Sequence, residues 1–289
     1  MDSEEIQLTL LSPNPALLLR NGSEKTLIIA DLHIGWEVAL AEEGVHVPSQ
    51  TAKLLKRIEQ IVSSEKPDRL LILGDVKHAV AKIELGEWRD VPDFLEEARK
   101  MTPKVQIIPG NHDGNLEALL PEGVEILPSH GIILGDVGFL HGHMWPNLDM
   151  LGCRTLVVGH VHPVVALKDP MGFRIMRQVW VKASCDGETL ARFMLRRCNV
   201  RLKANENPRE VLESRFGIVL KLANFLIMPS FNDFLGGQTI NSSATFRQKR
   251  FKQFVSPILR SGSIKLDDAE IYLLDGTFLG TLGRLRELS

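Results

Sequence analysis

The sequence has few cysteines and lacks a long apolar run. Its three cysteines (Cys153, Cys185 and Cys198) are odd in number and form no C-x-x-C pair, which excludes a disulfide framework and a zinc ribbon. They are expected to be reduced thiols of a cytoplasmic protein. No window approaches the roughly 18 to 20 consecutive apolar residues of a membrane span, so no membrane partner is expected. The acidic start of the chain, residues 1–6, is not the basic n-region of a secretory signal.

The composition is that of a globular protein with a sizeable core, because 44% of its 289 residues are apolar and 24% are charged. The net charge of −2 hides an asymmetry along the chain. Residues 1–195 carry 19 Lys and Arg against 27 Asp and Glu, whereas residues 196–289 carry 15 against 9. An acidic first part is compatible with a cation site, and a basic second part is compatible with a polyanionic partner.

The first part of the chain alternates short apolar runs with helical spacing. The runs 27–30, 70–73 and 105–108 predict strands. Apolar residues at helical spacing predict helices over 49–63, with Ser49 as its N-cap, and over 92–101. This alternation indicates an α/β layering.

After about Pro121 the pattern becomes rich in strands. The predicted strands there cover residues 124–127, 132–134, 137–140, 156–158, 164–167, 173–181 and 190–195. Further along, a helix is predicted over 210–223, and strands over 225–228 and 271–274. Asp275 and Gly276 form a hairpin turn before a last strand. We expect residues 1–195 to form the core domain and residues 196–289 an extension that packs on it or adds strands.

Polar side chains follow five of the strand-like runs, at the point where each run ends. The motifs are Asp31-Leu32-His33, Gly74-Asp75, Gly110-Asn111-His112-Asp113, His141-Gly142-His143 and Gly159-His160-Val161-His162. In open α/β sheets this carboxyl edge is where ligands bind. The histidine of a single D-x-H motif is more often an ordinary core or surface residue than a metal ligand. Five such motifs in this order outweigh that interpretation.

Residues two apart on an extended chain point to the same side, so Asp31 and His33 can reach one ion, and so can His160 and His162. Mixed nitrogen and oxygen ligands suit Mn, Fe, Co, Ni or Zn and argue against Ca. Two ions about 3.5–4 Å apart, bridged by one carboxylate, would use all the candidates. Those candidates are Asp31, His33, Asp75, Asn111, His141, His160 and His162.

The ordered set D-x-H, G-D, G-N-H-D, H and G-H-x-H resembles the calcineurin-like metallophosphoesterase superfamily over residues 27–165. Within it the chain is similar to the ICC-like phosphoesterases of archaea, which have relatives encoded near DNA ligase and helicase genes in bacteria. The narrower resemblance rests on residues 32–35, 74–78, 228–232 and 274–277. The resemblance to the superfamily implies an α/β fold, the four-layer sandwich of two mixed β-sheets flanked by helices.

The resemblance also implies roles for individual residues. One metal would be held by Asp31, His33 and His162, and the other by Asn111, His141 and His160, with Asp75 as the bridge. His112 would face the leaving group without binding metal, and Asp113 would orient it through a hydrogen bond. His143 lies two residues beyond His141, so the choice of ligand between them stays open. Mn²⁺ is the first choice of metal, with Fe, Ni or Zn as alternatives.

The expected reaction is hydrolysis of a phosphodiester or phosphomonoester by a water that two metal ions activate, with His112 as general acid. Substrate contacts are expected from Lys77, His78, His143 and Arg174. One alternative is a DNA or RNA nuclease that acts with a helicase or ligase in nucleic-acid repair. Another is a non-catalytic, metal-containing protein that binds a partner. The sequence leaves the oligomeric state open.

Two basic stretches, residues 192–203 and 247–252, are compatible with nucleic acid, and the second is interleaved with Phe246, Phe251 and Phe254. Solvated basic faces have the same composition, and the net charge of the chain is not that of a nucleic-acid binder. For Trp36, Trp88 and Trp145, packing in the core or at its rim is favoured over stacking on a base.

Overall fold

The protein is described by a computed structural model, which covers residues 6–80, 82–168, 171–203, 205–242 and 256–288. The chain divides into two compact units. The first unit comprises Met1–Ser129 with Ser230–Gly236, and the second comprises His130–Pro229 with Gly237–Ser289. Each unit carries one mixed sheet and its own hydrophobic core.

The strands of the first unit are β1 (Gln7–Leu10), β2 (Leu17–Asn21), β3 (Glu24–Ile29), β4 (Arg69–Leu73), β5 (Lys104–Ile108) and β6 (Val124–Ile126). They form one sheet in the order β1-β2-β3-β4-β5-β6. The pairs within β1–β3 are antiparallel, and those from β3 to β6 are parallel. The three predicted runs of the first part are therefore confirmed as neighbouring parallel strands, whose carboxyl ends lie at one edge.

The helices of the first unit are α1 (Trp36–Glu42), α2 (Thr51–Glu65) and α3 (Leu85–Met101). α2 begins two residues after the predicted start, and the backbone N–H of Thr51 donates to the Ser49 hydroxyl at 3.4 Å. α3 begins seven residues before the predicted start, with Pro92 inside it, because a capping box of Glu84 and Glu87 nucleates the helix earlier.

Helical spacing on α2 buries Leu54, Ile58 and Ile61, which join one apolar cluster with α3 and the sheet. Alternate sheet residues such as Leu27 and Ile29 lie in that cluster. The intervening Ile28 and Leu71 are also fully buried. Both faces of the parallel part are thus buried, which is why its strands are continuous apolar runs rather than alternating ones.

The strands of the second unit are β7 (Ile132–Leu134), β8 (Val137–Leu140), β9 (Thr155–Val158), β10 (Pro163–Lys168), β11 (Arg174–Ser184), β12 (Asn224–Ile227), β13 (Gln238–Thr239), β14 (Glu270–Leu273) and β15 (Phe278–Thr281). The order along the sheet is β13-β10-β11-β12-β9-β8-β7, and β14 pairs with both β11 and β15. β8, β9 and β12 are parallel neighbours. Residues 196–289 therefore supply β12 to β15.

The helices of the second unit are α4 (Gly187–Arg197), α5 (Pro208–Phe216), α6 (Pro257–Arg260) and α7 (Leu282–Glu287). The strand predicted over residues 190–195 is wrong, because this stretch lies within α4. Its buried residues, Leu190, Ala191, Met194 and Leu195, have helical spacing. Asp186 caps the helix by accepting from the N–H groups of Glu188 and Thr189 at 3.1 Å.

Single-turn 3-10 helices occur at Leu116–Leu119, Leu148–Gly152 and Asp233–Leu235. None of the helices in the described stretches has the length and apolar character needed to cross a membrane. The basic stretch 247–252 and its phenylalanines lie outside the described residues. The boundary between residues 195 and 196 stays a prediction, and it does not coincide with the division into two compact units.

Replacement of Phe94 by alanine is expected to lower the free energy of unfolding by about 3–5 kcal/mol, because this ring is fully buried in the core of the first unit. Phe173→Ala removes the same atoms from a residue that is 65% exposed and should change stability by less than about 0.5 kcal/mol. Urea unfolding monitored by circular dichroism measures both. Equal losses in the two variants contradict this account of the core.

Candidate metal centre and its supports

The turns that follow β3 and β4 run side by side and are joined by backbone hydrogen bonds. The N–H of Asp31 donates to the carbonyl oxygen of Gly74 at 3.1 Å, and the N–H of His33 donates to that of Asp75 at 2.8 Å. Ile34 and Lys77 continue this parallel pairing. The sheet is therefore extended by two short irregular segments, and they place Asp31, His33 and Asp75 together.

Five of the predicted ligands have a left-handed backbone. The φ angles are 58° at Asp31, 46° at His33, 52° at Asp75, 66° at His160 and 45° at His162. Only three other non-glycine residues in the described part of the chain have a positive φ. Asp and His tolerate this region better than most residues, and such conformations cluster at functional sites. They turn successive side chains away from the directions that a regular strand would give them.

Asp75 is buried and has a different contact at each carboxylate oxygen. Its Oδ2 lies 3.4 Å from Nε2 of His33, and its Oδ1 accepts the backbone N–H of His112 at 2.9 Å. A Cβ atom at Gly110 would lie 2.1 Å from Oδ1. Only glycine can therefore occupy position 110 while the turn after β5 approaches Asp75 this closely.

Asp113 is buried and accepts backbone hydrogen bonds. Its Oδ1 accepts from the N–H of Val76 at 2.8 Å and that of Lys77 at 3.3 Å, while Oδ2 accepts from Gly110 at 2.8 Å. Asp113 therefore fixes the turns after β4 and β5 relative to each other, since its oxygens satisfy their N–H groups. The predicted orientation of the His112 ring by Asp113 stays a prediction.

Three histidines of the first unit, His33, His78 and His112, bring one ring nitrogen each within 4.8 Å of the others. Nδ1 of His33 lies 3.3 Å from Nδ1 of His78, and the Nδ1 of His112 contacts the carbonyl oxygen of His78. Burial lowers the pKa of His78, and the neighbouring His112 lowers it further. A neutral His78 can accept the Nδ1–H of His33, which leaves Nε2 of His33 directed at Asp75.

Glu87 supports this group from the first turn of α3, and the sequence interpretation missed it. Its buried carboxylate accepts the backbone N–H of His78 at 2.9 Å and that of Ala79 at 2.7 Å. A Cβ at Gly35 would lie 2.8 Å from the Glu87 side chain. The spacing of Glu84 and Glu87 is the only sequence signal of this contact, and it predicts a helix start rather than a site.

A second support comes from the returning segment, Ser230–Gly236, which belongs to the first unit. The hydroxyl of Ser230 donates to the carbonyl oxygen of Asp31 at 2.8 Å, and Nδ2 of Asn232 donates to that of Leu32 at 2.9 Å. The N–H of Phe231 donates to the carbonyl oxygen of Ala30 at 2.8 Å. Three consecutive residues therefore hold the carbonyl groups of residues 30–32. Ser230 and Asn232 were noted in the sequence for the narrower resemblance, not for this contact.

The second unit carries the remaining candidate ligands after β8 and β9. Nε2 of His141 lies 3.2 Å from Nδ1 of His160, and their ring centroids are 5.0 Å apart. The ring of His143 is 5.2 Å from that of His141, so both candidates for the ligand lie near His160. The carbonyl oxygen of His162 accepts the N–H of Gln238 at 2.9 Å.

The donors of the first unit fit a divalent cation. Asp31, His33 and Asp75 are buried, and each offers a ligand atom within 4.8 Å of the others. Two ionised carboxylates at this distance repel each other in a site of low dielectric, and a cation removes that cost. Asn111 lies on the turn after β5 and is exposed, and its role as a ligand stays a prediction. Imidazole and carboxylate together suit Mn, Fe, Ni and Zn.

Two of the residues predicted to contact substrate, Lys77 and Arg174, do not present their charged groups at the candidate ligands. Lys77 is fully buried, and its Nζ contacts the carbonyl oxygen of Ala79, so its ammonium group is not available to a substrate. Arg174 is exposed and lies opposite Lys168 in the antiparallel register of β10 and β11, at the end of these strands that is remote from His162. That end lies roughly 20 Å along the strand from His162, at about 3.3 Å per residue.

Comparison with known proteins bears on both fold and family. The chain has 19% identity to Pseudomonas putida nuclease MPE, with a TM-score of 0.52 over 94% of this chain and 98% of that chain. Yfce, a phosphoesterase from E. coli, is 20% identical, with a TM-score of 0.32 over 50% of this chain and 73% of that chain. No curated protein sequence gives a significant match. The fold, an α/β arrangement of two mixed sheets with flanking helices, is that of a metallophosphoesterase.

The family model for calcineurin-like phosphoesterases matches residues 24–189, which is more than half of the chain. The matched stretch includes all five motifs and both groups of histidines. The narrower ICC-like placement stays a prediction. The chain belongs to the calcineurin-like phosphoesterase family, whose members are hydrolases of phosphate esters.

Proposed function

We propose that the protein hydrolyses phosphodiesters or phosphomonoesters with two divalent ions, Mn²⁺ being the first choice. The observation that carries the proposal is the group Asp31, His33 and Asp75, which is buried, compact and built on a strained backbone. Asn111, His141, His160 and His162 complete the proposed ligands, with His143 as the alternative to His141. Divalent ions there would neutralise the phosphoryl oxygens and lower the pKa of a coordinated water.

His112 is proposed as the general acid. Because the carbonyl oxygen of His78 is an acceptor only, the Nδ1 atom of His112 must carry a proton in that contact. The second proton of the imidazolium is then held at Nε2, the nitrogen that can give it to a leaving alkoxide. The backbone N–H of His112 donates to Oδ1 of Asp75 and fixes this residue beside the proposed bridging carboxylate, while the contact with the carbonyl oxygen of His78 fixes its ring.

Glu87, Asp113, Ser230 and Asn232 are proposed as positioning residues. Each bonds to the backbone of a turn that carries a proposed ligand or the proposed acid. Their contribution is to hold left-handed residues that would otherwise relax, at about 1–3 kcal/mol for each strained position.

Nuclease activity with a helicase or ligase is a second candidate function. The name of the P. putida protein supports the nuclease activity alone. A non-catalytic partner-binding protein is the third, and it requires metal to be bound without turnover. The complete set of donors and the fixed ring of His112 support catalysis over binding alone.

Asp75→Ala is expected to lower turnover of bis-p-nitrophenyl phosphate by about 1,000-fold in protein stripped of metal and reloaded with Mn²⁺, because it removes the proposed bridging ligand. Asp268→Ala removes an exposed carboxylate and should leave turnover unchanged. Diester turnover that is lost in Asp75→Ala supports a phosphodiesterase. Turnover of p-nitrophenyl phosphate alone supports a phosphatase. If the wild-type protein binds metal but hydrolyses neither substrate, the proposal that it is an enzyme is contradicted.

His112→Asn tests the general acid. We expect metal content to stay at the wild-type level. Turnover of an alkyl phosphate ester should fall at least 100-fold more than that of a p-nitrophenyl ester, because p-nitrophenolate leaves without a proton. Steady-state rates on both substrates, with metal content by atomic absorption, give the comparison. Equal losses on the two substrates, or loss of metal, would assign His112 a different role.

Ser230→Ala is expected to weaken Mn²⁺ binding by about 10- to 100-fold, because it frees the carbonyl group of Asp31 and lets the turn relax. Ser256→Ala is the matched control, since this buried hydroxyl has no hydrogen-bond partner among the described residues. Isothermal titration of metal-free protein measures both affinities, and circular dichroism verifies the fold. Equal affinities in the two variants contradict the positioning role.

A further inference from the structure

A basic cavity lies at the carboxyl end of α4 in the second unit, apart from the candidate ligands. It has a volume of about 660 Å³ and is lined by Arg196, Asn199, Arg201 and Leu202. Both arginines and Asn199 are exposed. The cavity therefore offers two guanidinium groups and an amide to a solute, which is the chemistry that recognises a phosphate group.

The positive charge of this surface is not neutralised within the described residues. Arg196, Arg197 and Arg201 form no ion pair there, and Arg197 instead places its guanidinium carbon 5.3 Å from the centre of the Trp145 ring. By contrast, Arg209 of the neighbouring α5 is paired with Glu188. Unpaired guanidinium groups on one face raise the local concentration of anions.

Aromatic rings adjoin these arginines. The ring of Trp145 stacks on Phe193 of α4, with 6.4 Å between centroids and 20° between planes. Phe193 is 38% exposed, so part of its ring is available to a flat, apolar partner. Stacked aromatic rings beside unpaired arginines are the combination that binds unpaired nucleic-acid bases and their phosphates.

The aromatic pair is connected to the candidate site by a short piece of chain. Trp145 lies two residues after His143 and four residues after His141. Nδ1 of His130 contacts the carbonyl oxygen of Trp145 at 3.0 Å and so ties this loop to the start of the unit. The loop that carries Trp145 is therefore the same loop that carries His141 and His143, whereas Arg196 lies on α4.

We propose that the surface formed by Trp145, Phe193, Arg196, Arg197 and Arg201 binds a single-stranded nucleic acid, which would be the substrate class of the proposed phosphoesterase. The inference rests on that proposed function. Phosphates would contact Arg196 and Arg201, and a base would stack on Phe193. A single strand is favoured over a duplex, because only an unpaired base exposes its flat face to an aromatic side chain.

The test measures binding of fluorescein-labelled dT20 and rU20 by fluorescence anisotropy, with the full chain in the absence of added metal so that the strand stays intact. The Arg196→Ala/Arg201→Ala variant is expected to raise Kd at least 10-fold and to reduce the slope of log Kd against log salt by about 1.4, at about 0.7 for each lost phosphate contact. The control is Arg215→Ala/Arg284→Ala, which removes two exposed arginines of the same unit. It should leave the slope unchanged.

Phe193→Ala tests the stacking with its own matched control. We expect a loss in affinity of at least 5-fold, whereas Phe216→Ala, which is 39% exposed on α5, should have no effect. Binding of only one of dT20 and rU20 would show which of the two strands the surface accepts and still supports the proposal. A duplex that binds as tightly as the single strand, or equal Kd values in the cavity variant and its control, overturns it.

Turnover of bis-p-nitrophenyl phosphate distinguishes this inference from the proposed function. The Arg196→Ala/Arg201→Ala variant should hydrolyse this small diester at the wild-type rate, although its affinity for the single-stranded nucleic acid is lost. Loss of strand binding with full turnover therefore supports the inference. Full turnover with unchanged strand binding overturns the inference and leaves the phosphoesterase intact, whereas absence of turnover in wild-type protein overturns the proposed function itself.

Discussion

The backbone hydrogen bonds between the turn after β3 and the turn after β4 are the constraint on which the candidate metal centre depends. They continue the parallel pairing of two buried strands into segments that are no longer strands. Asp31 and His33 therefore cannot move independently of Asp75. The close approach of Gly110 adds the turn after β5 to the same assembly. Rigid strands set the position of each turn, and the left-handed residues set the direction of each side chain.

Holding that assembly requires polar side chains that form hydrogen bonds with the backbone of the turns. Asp113 and Glu87 satisfy N–H groups of the turns, and Ser230 and Asn232 satisfy carbonyl groups. Acceptors are thus supplied to the turns after β4 and β5, and donors to the turn after β3. Since buried peptide groups cost about 1–3 kcal/mol each when unsatisfied, these side chains make an irregular backbone tolerable inside the first unit.

The apolar runs before each motif were enough to predict β3, β4, β5, β8 and β9, because buried parallel strands are nearly continuous in apolar residues. The same rule failed for residues 190–195, where helical spacing within a short run was mistaken for a strand. Clusters of donors at strand ends followed from the order of the motifs. The positioning residues could not be predicted in this way. Glu87 and Ser230 bond to backbone atoms, and every residue has the same backbone, so the sequence does not identify their partners.

Lys77 is a residue whose role the sequence predicted and the structure does not support. Its position two residues after Asp75 favoured a contact with substrate, yet the side chain is fully buried against the carbonyl oxygen of Ala79. Spacing along a chain determines which residues are neighbours, but the direction of a side chain in an irregular turn depends on tertiary contacts.

The returning segment also has a consequence for the order of events during synthesis. Asp31 and the residue that holds its carbonyl group, Ser230, are separated by 199 positions. At about 5–20 residues per second, a ribosome adds that length of chain in roughly 10–40 s. During this interval β3 and β4 can already pair, while the turn at residues 31–33 lacks its last hydrogen bonds. A metal ion that arrives early therefore meets donors whose final geometry is still to be imposed by chain that has not been made.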